Sequence, residues 1–449
     1  MRLVVIGGNA GGMTALSQVR KRRRDLEIVV LEQGDWTSYS SCGIPYLVAG
    51  ELGDGAVVAD LVVRTPQEFR DKLLVDVRVQ HEVKAVDLGA RQLEVRDHGH
   101  GRTIKVGFDE LLLATGAAPI RPDLPGIGEG FVRGVQTLAD AAALLDHAAT
   151  IECKDVVVVG SGYIGLEMAE AFVQRGARVT VVEAGPQPMR TLDEDMGRLV
   201  ADALVASGAE LRLDTAVEGF EPGMVHTSAG SIRADLVVLG IGVAPNTALA
   251  GAAGVPLGVR GAVRVTPRQQ THVEGVWAAG DCCESYHRVS HEWVHIALGT
   301  VANRQSRVAG INLGGGAATF PGVLGTAVTR ICRAEIGRTG LTEREAAAAG
   351  LDAVAVTVEA TQQAGYLPTA EPMTVKAVAE RGSGRLLGMQ IVGGDAAAKR
   401  IDTAATALWN EMTVHDLVDV DLSYAPPLSP LWDPVLVAAR AAIPAVGAR

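Results

Sequence analysis

The chain has 449 residues, 48% of them hydrophobic and 21% charged, with a formal net charge of -11. That is material for large buried cores and, at about 150 residues each, roughly three domains. The acidic balance argues against a general attraction to nucleic acid or to an anionic membrane, and no apolar run approaches the roughly 18 residues of a membrane span.

The opening MRLVVIGG reads as a buried strand running into a glycine turn, so no leader is expected before the fold. The turn continues as Gly7-Gly8-Asn9-Ala10-Gly11-Gly12, then a helix-like stretch that closes on the basic run Arg20-Lys21-Arg22-Arg23-Arg24. That run is read first as a solvated helix end and second as a local anion site. A second apolar run, IVVLEQG, carries Glu32 at its end. The stretch YSSCGIPY follows at residues 39–46, with Cys42 beside a candidate helix start. A thiol there can be acidified by the helix dipole, and the thiolate is the form that attacks disulfides. The bland fate of a free cysteine is a small buried hydrophobe, and Cys153, Cys332 and the pair Cys282-Cys283 keep that reading. Five cysteines so irregularly spaced make neither a disulfide framework nor a zinc motif, so a reducing, cytoplasmic setting without a metal is expected.

LLLATGAAP, with Thr115 and Gly116, is a buried strand ending in small residues where a cofactor could approach the backbone. DVVVVGSGYIG then repeats the opening pattern, with Gly160, Gly162 and Gly165 spaced as GxGxxG. The first glycine permits the tight turn, the second admits a pyrophosphate, and the third lets helix and strand pack closely. The pyrophosphate would sit at the helix N-terminus. Glu183, after the strand RVTVV, stands where a carboxylate accepts from ribose hydroxyls and repels a 2′-phosphate, so NADH is expected over NADPH. Arg178 and Arg190 lie near enough in sequence to tolerate that phosphate. GIGVAPN, with Gly242, reads as a return crossing, and GVWAAGDC brings Gly280 and Asp281 to another strand end, where Asp281 could bond a flavin hydroxyl. The first copy has Asn9 where the middle glycine belongs. One such turn is weak evidence; two, each in strand, turn, helix, strand, acid order, are an internal repeat.

Together the two nucleotide folds, the ATG and GD segments and the cysteine after the first fold resemble the flavoprotein pyridine nucleotide-disulfide oxidoreductases over nearly the whole chain. The resemblance implies an α/β chain of two Rossmann-like dinucleotide-binding domains plus a C-terminal α+β dimerisation domain. FAD would lie on Gly7, Ala10, Gly11, Gly12, Glu32, Thr115, Gly116, Gly280 and Asp281, with Val83 a further cofactor-binding residue. NADH would lie on Gly160, Gly162, Tyr163, Ile164, Gly165 and Glu183, and Gly242 is a further cofactor-binding residue. Residues 1–150 and 246–325 would form the FAD domain, 151–245 the NAD(P)H domain, and 326–449 the interface of a homodimer. The stretch EREAAAAGLD there is expected to be a plain helix.

Larger members of the family carry a CxxxxC pair, but the residue five places beyond Cys42 is Leu47. The resemblance therefore narrows to the single-cysteine branch: coenzyme A disulfide reductases, NADH oxidases, NADH peroxidases and persulfide reductases. The oxidases and peroxidases place a histidine in the first glycine turn, where this chain has Ala10. The coenzyme A disulfide reductases bring two tyrosines from the interface domain, and AGYLP and SYAPP supply Tyr366 and Tyr424. A phenol is protonated at neutral pH and can donate to a departing thiolate. The same resemblance places Thr14, Gln18, Lys21, Ser38 and Ser41 along coenzyme A and gives the basic run a purpose on its phosphates. Leu367 and Trp432 depart from the branch, which has a tyrosine and a lysine there, and so leave the thiol carrier open. The expected reaction passes electrons from NADH through FAD and Cys42 to a small disulfide, foremost that of coenzyme A. Its rivals are a coenzyme A persulfide or polysulfide reductase, which a further rhodanese domain would favour, an NADH oxidase, and a flavin-bearing sensor with negligible turnover.

Overall fold

Apolar runs that end in glycine turns become the centres of two parallel sheets in the computed structural model, which describes residues 1–150 and 153–447. The first sheet orders its strands Val276–Ala278, Glu110–Leu113, Arg2–Ile6, Glu27–Leu31 and Asp76–Arg78. Its central strands are buried almost end to end, as a parallel sheet covered on both faces requires. Alternation divides their side chains. Leu3, Val5, Ile28 and Val30 pack under helices Ala10–Arg22 and Gly299–Leu313, while Val4, Ile6, Val29 and Leu31 face Leu93 and Val95. Those two belong to an antiparallel sheet of His81–Asp87, Gln92–Asp97 and Arg102–Gly107.

The second parallel sheet repeats the plan with Glu210–Arg212, Arg178–Val182, Asp155–Val159, Leu236–Leu239 and Val132–Arg133. Val156 and Val158 pack on helix Tyr163–Gln174, and Val157 and Val159 face the antiparallel strands Val217–Glu221, Met224–Thr227 and Gly230–Arg233. The chain enters and leaves this unit side by side, because Ala117–Pro119 pairs antiparallel with Val243–Pro245. The boundary expected after residue 150 falls against residues 151 and 152, which lie outside the described residues.

A third, antiparallel sheet runs Ala327–Ile331, Ala334–Gly340, Leu386–Gly393, Pro372–Glu380 and Ala353–Thr361, with helices Ala397–Trp409 and Pro434–Val446 packed on it. The alanine-rich stretch is helix Glu343–Ala348, held by a reciprocal cap between Thr342 and Glu345. Among the described residues no helix is long and apolar enough to cross a membrane.

Candidate functional site: two glycine turns and a cysteine around one cavity

Each glycine turn is shaped by close backbone contacts that exclude a side chain. A Cβ on Gly7, at φ +107, would lie 2.1 Å from Ala114 O, and one on Gly160, at φ +93, 2.7 Å from Gly240 O. A Cβ on Gly12 or Gly165 would lie 2.0 Å from the carbonyl of the first glycine of its own turn. Each turn also hydrogen-bonds the acid that ends the following strand. Glu32 accepts from the N–H groups of Gly8 and Gly34, both at 2.8 Å. Glu183 accepts from Ser161 N–H at 3.0 Å, Ser161 Oγ at 2.7 Å and Gly185 N–H at 2.9 Å. The helices that follow begin without a capping side chain or an acid in the first turn, so their first N–H groups remain available to an anion.

Both turns open on a single cavity of about 1840 Å³. Its wall takes Gly7, Ala10, Gly11 and Glu32 from the first turn and its acid, Gly160, Gly162, Tyr163, Ile164 and Glu183 from the second, and Gly242, Ser41, Cys42, Thr115, Gly116, Gly280 and Asp281 besides. The residues fit a flavin dinucleotide. Asp281 Oδ1 is buried with no hydrogen-bond partner, as a carboxylate would be whose hydroxyl donor arrives with a ligand. Burial raises the Asp281 pKa, against the opposing effect of His295.

Cys42 occupies the 3-10 turn Ser41–Gly43, directly before helix Ile44–Ala49, and its side chain is exposed to the cavity. Its loop is tied to the first glycine turn by Asn9, whose Oδ1 accepts from Tyr39 N–H at 3.0 Å and whose Nδ2 donates to Ser41 Oγ at 3.4 Å. The expected acidified thiol is corrected here. Partial burial, then the facing carboxylates of Glu167 and Asp281, push the Cys42 thiol above its ordinary range. Helix Ile44–Ala49 has only 6 residues, a short run for a dipole.

Other expected residues stand outside the cavity wall. Gly12 and Gly165 lie behind it, where their contact is with the turn itself. Val83 is half-buried on the antiparallel sheet that covers the first fold, and Ser38, at φ +51, donates its N–H to Gly8 O. Thr14, Gln18 and Lys21 recur along helix Ala10–Arg22; Thr14 Oγ1 donates to Asn303 Oδ1 at 2.6 Å, and Gln18 accepts from Arg22. Tyr366 and Tyr424, 75% and 47% exposed, lie on the third-sheet unit and do not reach the cavity within one chain.

Two charge readings need correcting. Arg20 is buried and turned inward, donating to the carbonyls of Arg23, Arg24 and Leu74, so it closes its own helix rather than serving an anion. Arg23 is paired with Asp25 at 2.7 Å. Arg178 forms a two-pronged pair with Asp155 at 2.7 and 2.8 Å, while Arg190 lines the cavity beside Glu183. Sequence reasoning missed Glu167 and the tether made by Asn9. Asn9 in place of the expected glycine was the available signal for the second.

Residues 1–306 match the family model described as pyridine nucleotide-disulphide oxidoreductase, and residues 326–434 match the dimerisation domain of the same family. The NAD(P)H coenzyme A polysulfide/persulfide reductase of Pyrococcus horikoshii is 37% identical, with 98% of each chain covered. The crystal structure of reduced Bacillus anthracis CoADR-RHD superposes with a TM-score of 0.95 at 32% identity, over 99% of this chain and 80% of that one. An NAD-dependent persulfide reductase from A. fulgidus gives a TM-score of 0.95 at 34% identity, over 99% of this chain and 83% of that one.

Proposed function

The chain belongs to the pyridine nucleotide-disulphide oxidoreductases, and from that premise we propose that it reduces a low-molecular-weight disulfide, foremost that of coenzyme A, with electrons from NADH passed through FAD to Cys42. The observation that carries this reading is the exposed Cys42 between two nucleotide cradles in one cavity, with no second cysteine on its wall among the described residues. Bound FAD supplies the two-electron relay between nicotinamide and sulfur. Cys42 attacks one sulfur of the substrate, a bond forms between them, and the substrate S–S bond breaks to release a thiolate. Two electrons then split the mixed disulfide, freeing the second thiol and returning Cys42 to its thiolate.

In this reading Glu32 and Glu183 orient the riboses, and Asp281 accepts from a flavin hydroxyl. The matched dimerisation domain supports a homodimer; in it Tyr424 of one protomer would reach the cavity of its partner and protonate the departing thiolate, with Tyr366 orienting or assisting. Thr14, Gln18, Lys21, Ser38 and Ser41 hold the carrier, with Lys21 left to meet phosphate once Arg20 is turned inward. Glu183 favours NADH, and only Arg190 of the two arginines is placed to accommodate a 2′-phosphate.

A second reading, reduction of coenzyme A persulfide, is favoured by the 37% identity to the Pyrococcus horikoshii reductase. Both need the same sulfur. Replacing Cys42 by Ser is expected to lower disulfide turnover by about a thousandfold or more while the flavin is still reduced by NADH. Full disulfide turnover in that variant would overturn the proposal. Comparing kcat/KM on coenzyme A disulfide and coenzyme A persulfide ranks the two substrates, and oxygen consumption equal to NADH consumption without disulfide would support an oxidase.

A further inference from the structure

The head of the alanine-rich helix, Glu343-Arg344-Glu345, has no part in the chemistry above, yet it stands against the segment that follows Glu183. That segment, residues 184–193, joins strand Arg178–Val182 to helix Glu194–Ala206, and Met189, Arg190 and Thr191 on it line the cavity. Met189 N–H donates back to Ser161 O, in the second glycine turn, at 2.9 Å. The same residue takes φ +46, the left-handed region that a side chain of its size rarely enters.

Beyond Met189 the segment bonds across to the third-sheet unit. Arg338, buried on strand Ala334–Gly340, donates from Nη1 to Thr191 O at 2.6 Å, and from Nη2 to Gly340 O at 2.6 Å and Glu345 Oε2 at 2.7 Å. Arg344 Nη2 donates to Arg190 O at 2.5 Å. Among the described residues these guanidinium groups are the only hydrogen-bond partners of the two carbonyls. Asp193 in turn accepts from Gln390 Nε2 at 2.6 Å and from Glu343 N–H at 3.1 Å. A buried guanidinium is costly unless it is paired and hydrogen-bonded. Arg338 meets both conditions on Glu345, which is itself fixed by accepting Thr342 N–H at 2.9 Å. Charge-assisted bonds of this length are the strong ones, so the backbone at 190 and 191 is held from outside its own unit.

We propose that Arg338 is a positioning residue for the nicotinamide coenzyme: with Arg344 it holds the backbone of Arg190 and Thr191 in place on the cavity wall, so that NADH affinity depends on the third-sheet unit. The inference rests on the reading of the Gly160–Gly165 turn and Glu183 as the NADH cradle. Neither arginine lines the cavity, so the effect passes through the two carbonyls they hold. It belongs to binding. A loop that must be ordered before the coenzyme can settle on it costs affinity, whereas the hydride step of the loaded site is untouched.

The test is anaerobic stopped-flow reduction of the bound flavin by NADH, whose concentration dependence gives Kd and whose plateau gives the limiting rate, beside hydrogen exchange at residues 189–193. Arg338→Lys keeps a cation opposite Glu345 and loses the planar fork. It is expected to raise Kd about tenfold, to leave the plateau within about twofold and to speed exchange at residues 189–193. Arg344→Ala truncates an exposed side chain and is expected to raise Kd by a few-fold. Arg381→Ala, whose partner is Asp352 on the same unit, is the control and is expected to leave Kd unchanged. A wild-type Kd in Arg338→Lys protein with full flavin content and an unchanged melting temperature overturns the proposal. Where that variant loses flavin or melts lower, Arg344→Ala decides in its place: a raised Kd supports the hold and an unchanged Kd overturns it. If Glu183→Ala weakens NADH while the arginine variants do not, only the hold falls; if Glu183→Ala also leaves Kd unchanged, the cradle reading falls with it.

Discussion

The two glycine turns meet the same steric demands with different side chains, and the difference separates what a nucleotide fold requires from what one site has added. Their first and last glycines are interchangeable in role, each approached by a carbonyl at distances no Cβ tolerates. At the middle position they part. Gly162 is exposed, and the nearest atom a Cβ there would meet is Gly240 O at 4.0 Å. Asn9 takes the same extended conformation, at φ -106 against φ -77, and spends its amide on Tyr39 and Ser41. The second turn is left open at this position, whereas the first is fastened to the loop that carries Cys42.

The comparison breaks most visibly at the last glycine. Gly12→Ala and Gly165→Ala meet the same 2.0 Å obstacle and are each expected to cost about 3 kcal/mol or more in urea unfolding, the first releasing flavin and the second weakening NADH. A variant that tolerates the methyl group would show that the two turns are not equivalent. The acids should separate next. Glu32→Ala and Glu183→Ala each leave turn N–H groups without a partner, at about 1.5–3 kcal/mol. Only Glu183→Ala should raise the NADH Kd, by about tenfold to a hundredfold, in a fluorescence titration. Asn9→Gly restores the glycine spacing and is expected to retain flavin, to lose about 1 kcal/mol and to speed hydrogen exchange across residues 39–43. The smallest effect belongs to the arginines. Arg190→Ala should lower the NADPH to NADH ratio of kcat/KM by a few-fold, and Arg178→Ala, an exposed ion-pair partner, should leave it unchanged.

What the residues revealed in advance was whatever depends on neighbours in sequence. DVVVVG and RLVVIGG declare buried parallel strands because each carries an unbroken apolar run, Val156–Val159 and Leu3–Ile6, and the acids at 32 and 183 declare themselves by their place at strand ends. The charge placements depended on distant partners and were hidden. Arg20 finds Leu74 across 54 positions, Thr14 finds Asn303 across 289, and Glu167 finds Thr329 across 162. The acidity of Cys42 was misjudged for the same reason: the short helix is local, but the two carboxylates that oppose it come from residues 167 and 281. Tyr366 and Tyr424 could be picked out as motifs, yet one chain does not carry them to the sulfur.

Strands Ala117–Pro119 and Val243–Pro245 run side by side, and every strand of the second parallel sheet falls between them. A module whose entry and exit share one doorway can be lifted out and replaced without stretching the polypeptide that hosts it. Exchange of the whole cassette could therefore change one nucleotide cradle at a stroke while the first fold and the third sheet stay as they are, with Glu167 the one neighbour of Cys42's charge that would travel with it.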